Sequence, residues 1–306
     1  MKSAITRGPV ALAWFLTVGL LLAPHAFAAP ERLPLEVDGH PLALWTESPK
    51  TPQATLLLVH GRTWSSLPNF DLAVSGKNRS VFDAFVRKGY AVYALDLRGY
   101  GASARDETGW LTPARAVADV RAALDHIAAR HPRIAQRPAL LGYSRGAQIA
   151  VVLAQSDSRA AAALVLFGFP PGVRNTSTPA VDKPPRAPTT AAAAAEDFIT
   201  PGAASRTVIE AYVSAALAAD PVRVDWRDEN QLAFEPAKIA TPTLMIYGVN
   251  DPFRNAASAA FFDALAARDR AYVVLPDSDH AAHVENSASA WVHAIDGFLQ
   301  SPRAKE

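Results

Sequence analysis

The sequence predicts an α/β protein: a mostly parallel central sheet flanked by helices, with a small cap or lid insertion. Three observations lead there. Short apolar, branched runs alternate with helix-patterned stretches. The runs are apolar throughout, as strands covered on both faces require. The alternation breaks once, late in the chain, where residues 172–238 turn Pro-rich and then Ala-rich.

The strand candidates are "ATLLLVH" (54–60), "YAVYALDL" (90–97), "PALLGYS" (138–144), "AALVLFGF" (162–169), "PTLMIYG" (242–248) and "AYVVLPDS" (271–278). A helix over residues 80–89 ends at Gly89 after Arg87 and Lys88. A second, over 112–132, has Thr112 as its N-cap and Pro113 in its first turn. There Val117, Val120, Leu124 and Ile127 recur at helical spacing. Residues 255–269 and 287–300 predict two more helices, and residues 205–220 one inside the insertion. For residues 173–190 a disordered linker and a part of the lid remain open alternatives. There is no internal repeat and no separate second domain.

Of the 306 residues, the first 28 read as a secretory signal peptide. Lys2 and Arg7 precede an apolar run over residues 10–22, and Ala26-Phe27-Ala28 forms a small-x-small cleavage site. The run is short of the ~20 residues that span a bilayer. The expected product is therefore a periplasmic or secreted domain, residues 29–306, cleaved after Ala28 and without stable membrane insertion. Losing Lys2 and Arg7 moves the net charge from +1 to −1. A near-neutral surface gives no reason to expect nucleic acid as a partner and leaves a small-molecule substrate. The chain has no cysteine, which rules out thiol catalysis and thiolate metal sites.

The chemistry gathers around "LLGYSRGAQ". Ser144 stands between Gly142 and Gly146, after a strand and before a helix, the context of a nucleophile elbow. The N–H of Arg145 then faces the place where an oxyanion would form. A serine hydroxyl needs a base and the base needs an orienter. Asp251 follows the apolar run 242–248, and His280 follows the run 271–276. Parallel strands bring such loops to one edge of the sheet. His283 is the alternative base, and Asp277 and Asp279 read as turn-shaping residues. Asp96 reads as a turn carboxylate paired with Arg98. After the first quoted strand comes His60-Gly61-Arg62: Gly61 lets the backbone come close, Arg62 N–H is the second oxyanion donor, and His60 braces the loop. Trp64, Tyr143 and Phe253 flank these positions and are candidates to line a pocket.

These motifs, "LLVHG", "ALDLRGYGAS", "LLGYSRGAQIA", "PTLMIYGVNDPF" and "SDHAAHVEN", resemble in order the landmarks of the α/β-hydrolase superfamily, over residues 54–168 and 238–300. The resemblance implies Ser144 as nucleophile, Asp251 as acid, His280 as base, and Arg62 and Arg145 N–H as the oxyanion hole. It implies no metal and no organic cofactor. Epoxide hydrolases and haloalkane dehalogenases are similar but carry Asp at the nucleophile position, where Ser144 stands here. The Gly-rich oxyanion loop of lipases is absent from "HGRTWSS". The expected function is an exported serine hydrolase cleaving a carboxylic ester through an acyl-enzyme. Its competitors are an amide or peptide hydrolase, an acyltransferase, and a ligand-binding protein that keeps the triad without turnover.

Overall fold

The computed structural model describes residues 29–172 and 182–301. The proposed signal peptide and residues 173–181 of the insertion lie outside them. The sheet strands are β1 (Glu31–Val37), β2 (His40–Glu47), β3 (Ala54–Val59), β4 (Tyr90–Asp96), β5 (Ala139–Tyr143), β6 (Leu164–Phe167), β7 (Thr243–Gly248) and β8 (Arg270–Leu275). They form one eight-stranded sheet in the order β1-β2-β4-β3-β5-β6-β7-β8. From β4 onward all neighbours are parallel, while β2 pairs antiparallel with both β1 and β4. All six strands read from the sequence are present. The β1–β2 hairpin is an addition to that reading. Its turn, Asp38-Gly39, has both φ angles positive, at 52° and 72°, the geometry that Asp-Gly supplies for a two-residue hairpin loop.

Side chains on successive positions of β3 enter different cores. Leu57 and Val59 join a cluster under the helices α2 (Pro113–Arg130) and α3 (Arg145–Ser156). Leu56 and Leu58 join another under α1 (Val81–Val86) and α7 (Ala288–Gln300). This period of two, buried on both sides, produces the unbroken apolar runs. Thr112 caps α2 by accepting from Arg115 N–H at 3.3 Å. The helix expected over 255–269 is shorter, α6 (Ala256–Asp263), and is capped by Asn255. Beyond it Leu265 and Ala267 are buried, and Ala266 N–H bonds to Pro236 O at 3.3 Å. Tertiary packing overrides local helix propensity there.

Between β6 and β7 the described part of the insertion carries α4 (Ala191–Ala195) and α5 (Arg206–Ala219). Val208, Tyr212 and Ala216 of α5 pack on Trp64, Leu72, Ala281 and Val284. The insertion thus sits against the loops that follow β3 and β8. Polar links add to this packing. Asp220 accepts from Ser65 N–H and Gly101 N–H, both at 2.8 Å. Tyr212 donates to Asn69 Oδ1 at 3.0 Å.

Candidate active site

The register of the sheet aligns the strand ends that matter. Val59 lies opposite Gly142, Tyr143 opposite Phe167, Phe167 opposite Ile246, and Gly248 opposite Leu275. The loops that follow therefore leave from one edge. Ser144 connects β5 to α3 with φ 52° and ψ −110°, a conformation costly for a residue with a Cβ. Ser144 N–H bonds to Phe167 O at 2.8 Å, and Ser144 O accepts from Ala147 and Gln148 N–H. The two flanking glycines answer to space. A Cβ at Gly142 would fall on the backbone of Gly146 and Ala147, and one at Gly146 on Val59 O and His60 O. Gly61 is different: a Cβ there would make ordinary contacts at 3.4 Å with the Tyr143 ring. The close approach expected at Gly61 is made by Gly146 instead.

His280 Nδ1–H donates to Asp251 Oδ2 at 3.0 Å, which leaves Nε2 as the free ring nitrogen. Both side chains are nearly fully buried. Asp251 is oriented by accepting Phe253 N–H on its other oxygen at 2.9 Å. Burial alone would lower the His280 pKa. The Asp251 charge and hydrogen bond, aided by Asp197 and Asp279, outweigh it and raise the imidazole above its ordinary value. Behind the ring lies Gly168, with φ 57°; a Cβ there would come within 2.6 Å of His280 Cε1.

A cavity of about 540 Å³ opens over this edge, and Ser144, His280, Arg62, Arg145, Trp64, Tyr143 and Phe253 all line it. Asp251 stands behind His280. The Phe253 ring meets His280 edge-on at 5.0 Å, and Tyr143 lies 4.9 Å away. Arg145 is the first residue of α3, so its N–H has no partner inside that helix.

His283 is not on this cavity. Its ring is buried among Phe70, Tyr143, Phe167 and Trp291, with no well-formed hydrogen bond at either nitrogen and the Asn69 backbone as its nearest polar influence. Burial, with His280 nearby, lowers its pKa to about 3. His60 is fully buried: Nδ1–H donates to Gly61 O at 2.8 Å and Nε2 accepts Leu97 N–H at 3.1 Å, so it braces the loop. The Asp96–Arg98 pairing does not form. Asp96 accepts from Trp45 Nε1, Ser66 N–H and Ala102 N–H. Arg98 instead forks onto Asp119, with both bonds at 2.8 Å. Asp279 does more than shape its turn. It accepts Ile199 N–H at 2.9 Å and Thr200 N–H at 2.6 Å, tying the His280 loop to the insertion.

The sequence reading missed Asn69, Gln148, Glu196 and Asp197 on the cavity wall, and Glu229 beside it. Asp197 receives a long bond from Tyr143 OH at 3.4 Å. Burial raises its pKa, while His280 pulls the other way. Glu196-Asp197, the only acidic pair in the Ala-rich stretch, was the one sequence signal for it. Among the described residues, no group of three His, Cys, Asp or Glu is placed to hold a metal ion, and no helix is long and apolar enough to cross a membrane.

Comparison with known proteins follows the same lines. The chain is similar to a serine hydrolase involved in carbazole degradation (CarC), with 17% identity, a TM-score of 0.64, and 89% of this chain and 99% of that one covered. It is similar to a thermophilic esterase from Thermogutta terrifontis, with 18% identity, a TM-score of 0.61 and coverage of 88% and 98%. It is also similar to epoxide hydrolase A from Mycobacterium thermoresistibile, with 17% identity, a TM-score of 0.60 and coverage of 90% and 100%. Likeness at this level establishes a shared fold, which hosts several reactions. No curated protein matches the chain. Residues 50–287 match the family described as serine aminopeptidase, S33. The chain belongs to that family of hydrolases and has the α/β-hydrolase fold.

Proposed function

We propose that this protein is an exported serine hydrolase that cleaves a carboxylic ester. The observation that carries the reading is the strained backbone of Ser144, sharing a cavity with a His280 whose Nδ1–H is taken by Asp251. In the proposed reaction His280 Nε2 takes the proton of Ser144 as Oγ bonds to the carbonyl carbon. The N–H groups of Arg62 and Arg145 hold the tetrahedral oxyanion. The ester C–O bond breaks and the departing alkoxide takes the proton from His280. Water then attacks the acyl-enzyme, gives a proton to His280, and releases the acid as Ser144 regains its own. The insertion over the cavity acts as the cap that selects substrate. Residues 1–28 direct export, so the mature chain begins at Ala29, which mass spectrometry of exported protein would check.

Because His280 must be neutral to act and its pKa is raised, activity should fall with decreasing pH from a point above the ordinary imidazole value of 6.5. The decisive test is a panel of short p-nitrophenyl esters, aminoacyl anilides and an acyl acceptor, run beside fluorophosphonate labelling. Turnover and labelling should both fall by about 10⁴–10⁶ in Ser144→Ala. Labelling without turnover of any ester or amide would defeat the reading. A second reading, hydrolysis of an amide or peptide, is favoured by the family's description as a serine aminopeptidase. Preference for the anilides over the esters would select it.

A further inference from the structure

We infer that Glu229 is the positioning residue of the oxyanion site: its single carboxylate, reaching in from the insertion, bridges the side chains of Arg62 and Arg145 and so fixes their two backbone N–H groups relative to each other. The inference rests on the serine-hydrolase reading above. Arg62 and Arg145 belong to different loops, each three residues beyond a register pair of the sheet, Val59 and Gly142. The sheet sets where the loops begin but not how far apart they stay. The two loops already meet where Gly146 packs on Val59 O and His60 O, but an oxyanion hole needs both donors about 2.7–3.1 Å from one oxygen, which takes a further contact at the two arginines.

Glu229 supplies that contact. Its Oε1 accepts from Arg62 Nη1 and from Arg145 Nη2, and its Oε2 accepts from Arg62 Nη2 at 3.1 Å. Glu229 is 3% exposed and Arg145 6%, so solvent screens their bond little, while the Arg62 side chain is 28% exposed. A buried charge of this kind is tolerated only when it is fully paired. The neighbours point the same way. Tyr100 OH donates to Arg62 O and accepts Trp226 Nε1–H at 2.9 Å. The Trp226 face lies 5.0 Å from the Arg145 guanidinium. Asp228, which delivers Glu229, is held at φ 56°, a conformation few non-glycine residues adopt. Burial, then Arg62, lowers the Arg145 pKa to about 10, so Arg145 remains a cation at neutral pH. Two guanidinium groups against one carboxylate leave a net positive charge beside the place where the oxyanion forms.

The test uses the full-length chain, p-nitrophenyl butyrate turnover, melting temperature, and inhibition by an alkyl trifluoromethyl ketone, whose adduct with Ser144 carries an oxyanion. Glu229→Gln keeps the shape and loses the charge. It should lower kcat about ten- to a hundredfold with little change in KM, and weaken the ketone by a similar factor. Glu229→Asp keeps the charge on a shorter arm and should recover part of that loss. Glu229→Ala leaves two guanidinium groups without their carboxylate and should melt lower; if it does not fold, the Gln and Asp variants decide. A folded Glu229→Gln protein with wild-type kcat and ketone affinity, changed only in melting temperature, would reduce Glu229 to a structural brace and overturn the inference. If the wild type neither turns over ester nor labels at Ser144, the hydrolase reading fails and this one with it. If the wild type works, Ser144→Ala is dead and Glu229→Gln is unimpaired, only the role of Glu229 falls.

Discussion

The central sheet and the insertion between β6 and β7 are held in place by different forces. The sheet is fixed by hydrocarbon: Leu56 and Leu58 pack to one side, Leu57 and Val59 to the other, and both layers are closed by helices. The insertion has an apolar contact around Tyr212 and Val208, and its Val224, Trp226 and Leu232 enter the core that lies under α2 and α3. It is also tied by a short parallel pairing of Asp225–Trp226 with Trp110–Leu111 and by single polar groups: Asp220 on Ser65 and Gly101, Asp279 on Ile199 and Thr200, Glu229 on Arg62 and Arg145. Apolar burial is non-directional and tolerates exchange among similar side chains. A polar staple depends on one residue in one orientation. The sheet should therefore respond to lost volume or buried charge, and the insertion to the loss of individual acceptors.

The sharpest way to stress the apolar side is acid. His283 sits among aromatic rings, and burial outweighs the Asn69 backbone to lower its pKa to about 3. A depressed folded-state pKa contributes stability that is fully present above the unfolded value of 6.5 and is lost as pH falls toward 3. Between pH 6.5 and 4 this single group should cost about 3 kcal/mol. Urea unfolding of the wild type and His283→Phe at both pH values checks it. Equal pH dependence in the two proteins would show that His283 is not held neutral.

The staples are tested next by Asp220→Asn. An amide presents one acceptor oxygen where the carboxylate serves two N–H donors at 2.8 Å. The variant should lose about 2 kcal/mol, seen as a lower urea midpoint. An unchanged midpoint would mean that the insertion's apolar packing and its other links hold it without Asp220.

The smallest effect concerns Asp197, which the insertion presents to the cavity. Its charge is one of those that raise the His280 pKa. Asp197→Asn should shift the acid limb of the activity profile to lower pH, with melting temperature unchanged. A limb that stays in place would remove Asp197 from the electrostatics of His280.

This contrast also explains what was legible in the sequence. Five of the six strands from residue 54 onward were readable because burial on both faces makes them continuous apolar runs; the edge strand β8 is partly exposed but keeps an apolar run over 271–275. Ser144, Asp251 and His280 were readable because each follows such a run, and parallel order sends the following loops to one edge. The β1–β2 hairpin was not recognised, although Asp38-Gly39 marks it. Pro34 inside "ERLPLEV" argues against a central strand, and the strand is in fact at the sheet's edge, where proline is tolerated. Arg98 was paired with Asp96 on nearness in sequence, whereas its partner Asp119 comes from the next helix. Glu229 and Asp197 carried no periodicity at all. Their positions follow from how the insertion folds back on the sheet, which no local pattern encodes.

Gly168 has a consequence for how far the cavity edge around His280 can be varied. It contributes no functional group, yet a methyl carbon in its place would press on the imidazole from behind, and its φ of 57° already disfavours any other residue. The ring is thus confined between Phe253 and Tyr143 on the cavity side and a missing side chain at its back. Mutational tolerance at this edge is set by volume as strictly as by chemistry. Redesign of the pocket has to leave untouched a residue whose contribution is the space it leaves empty.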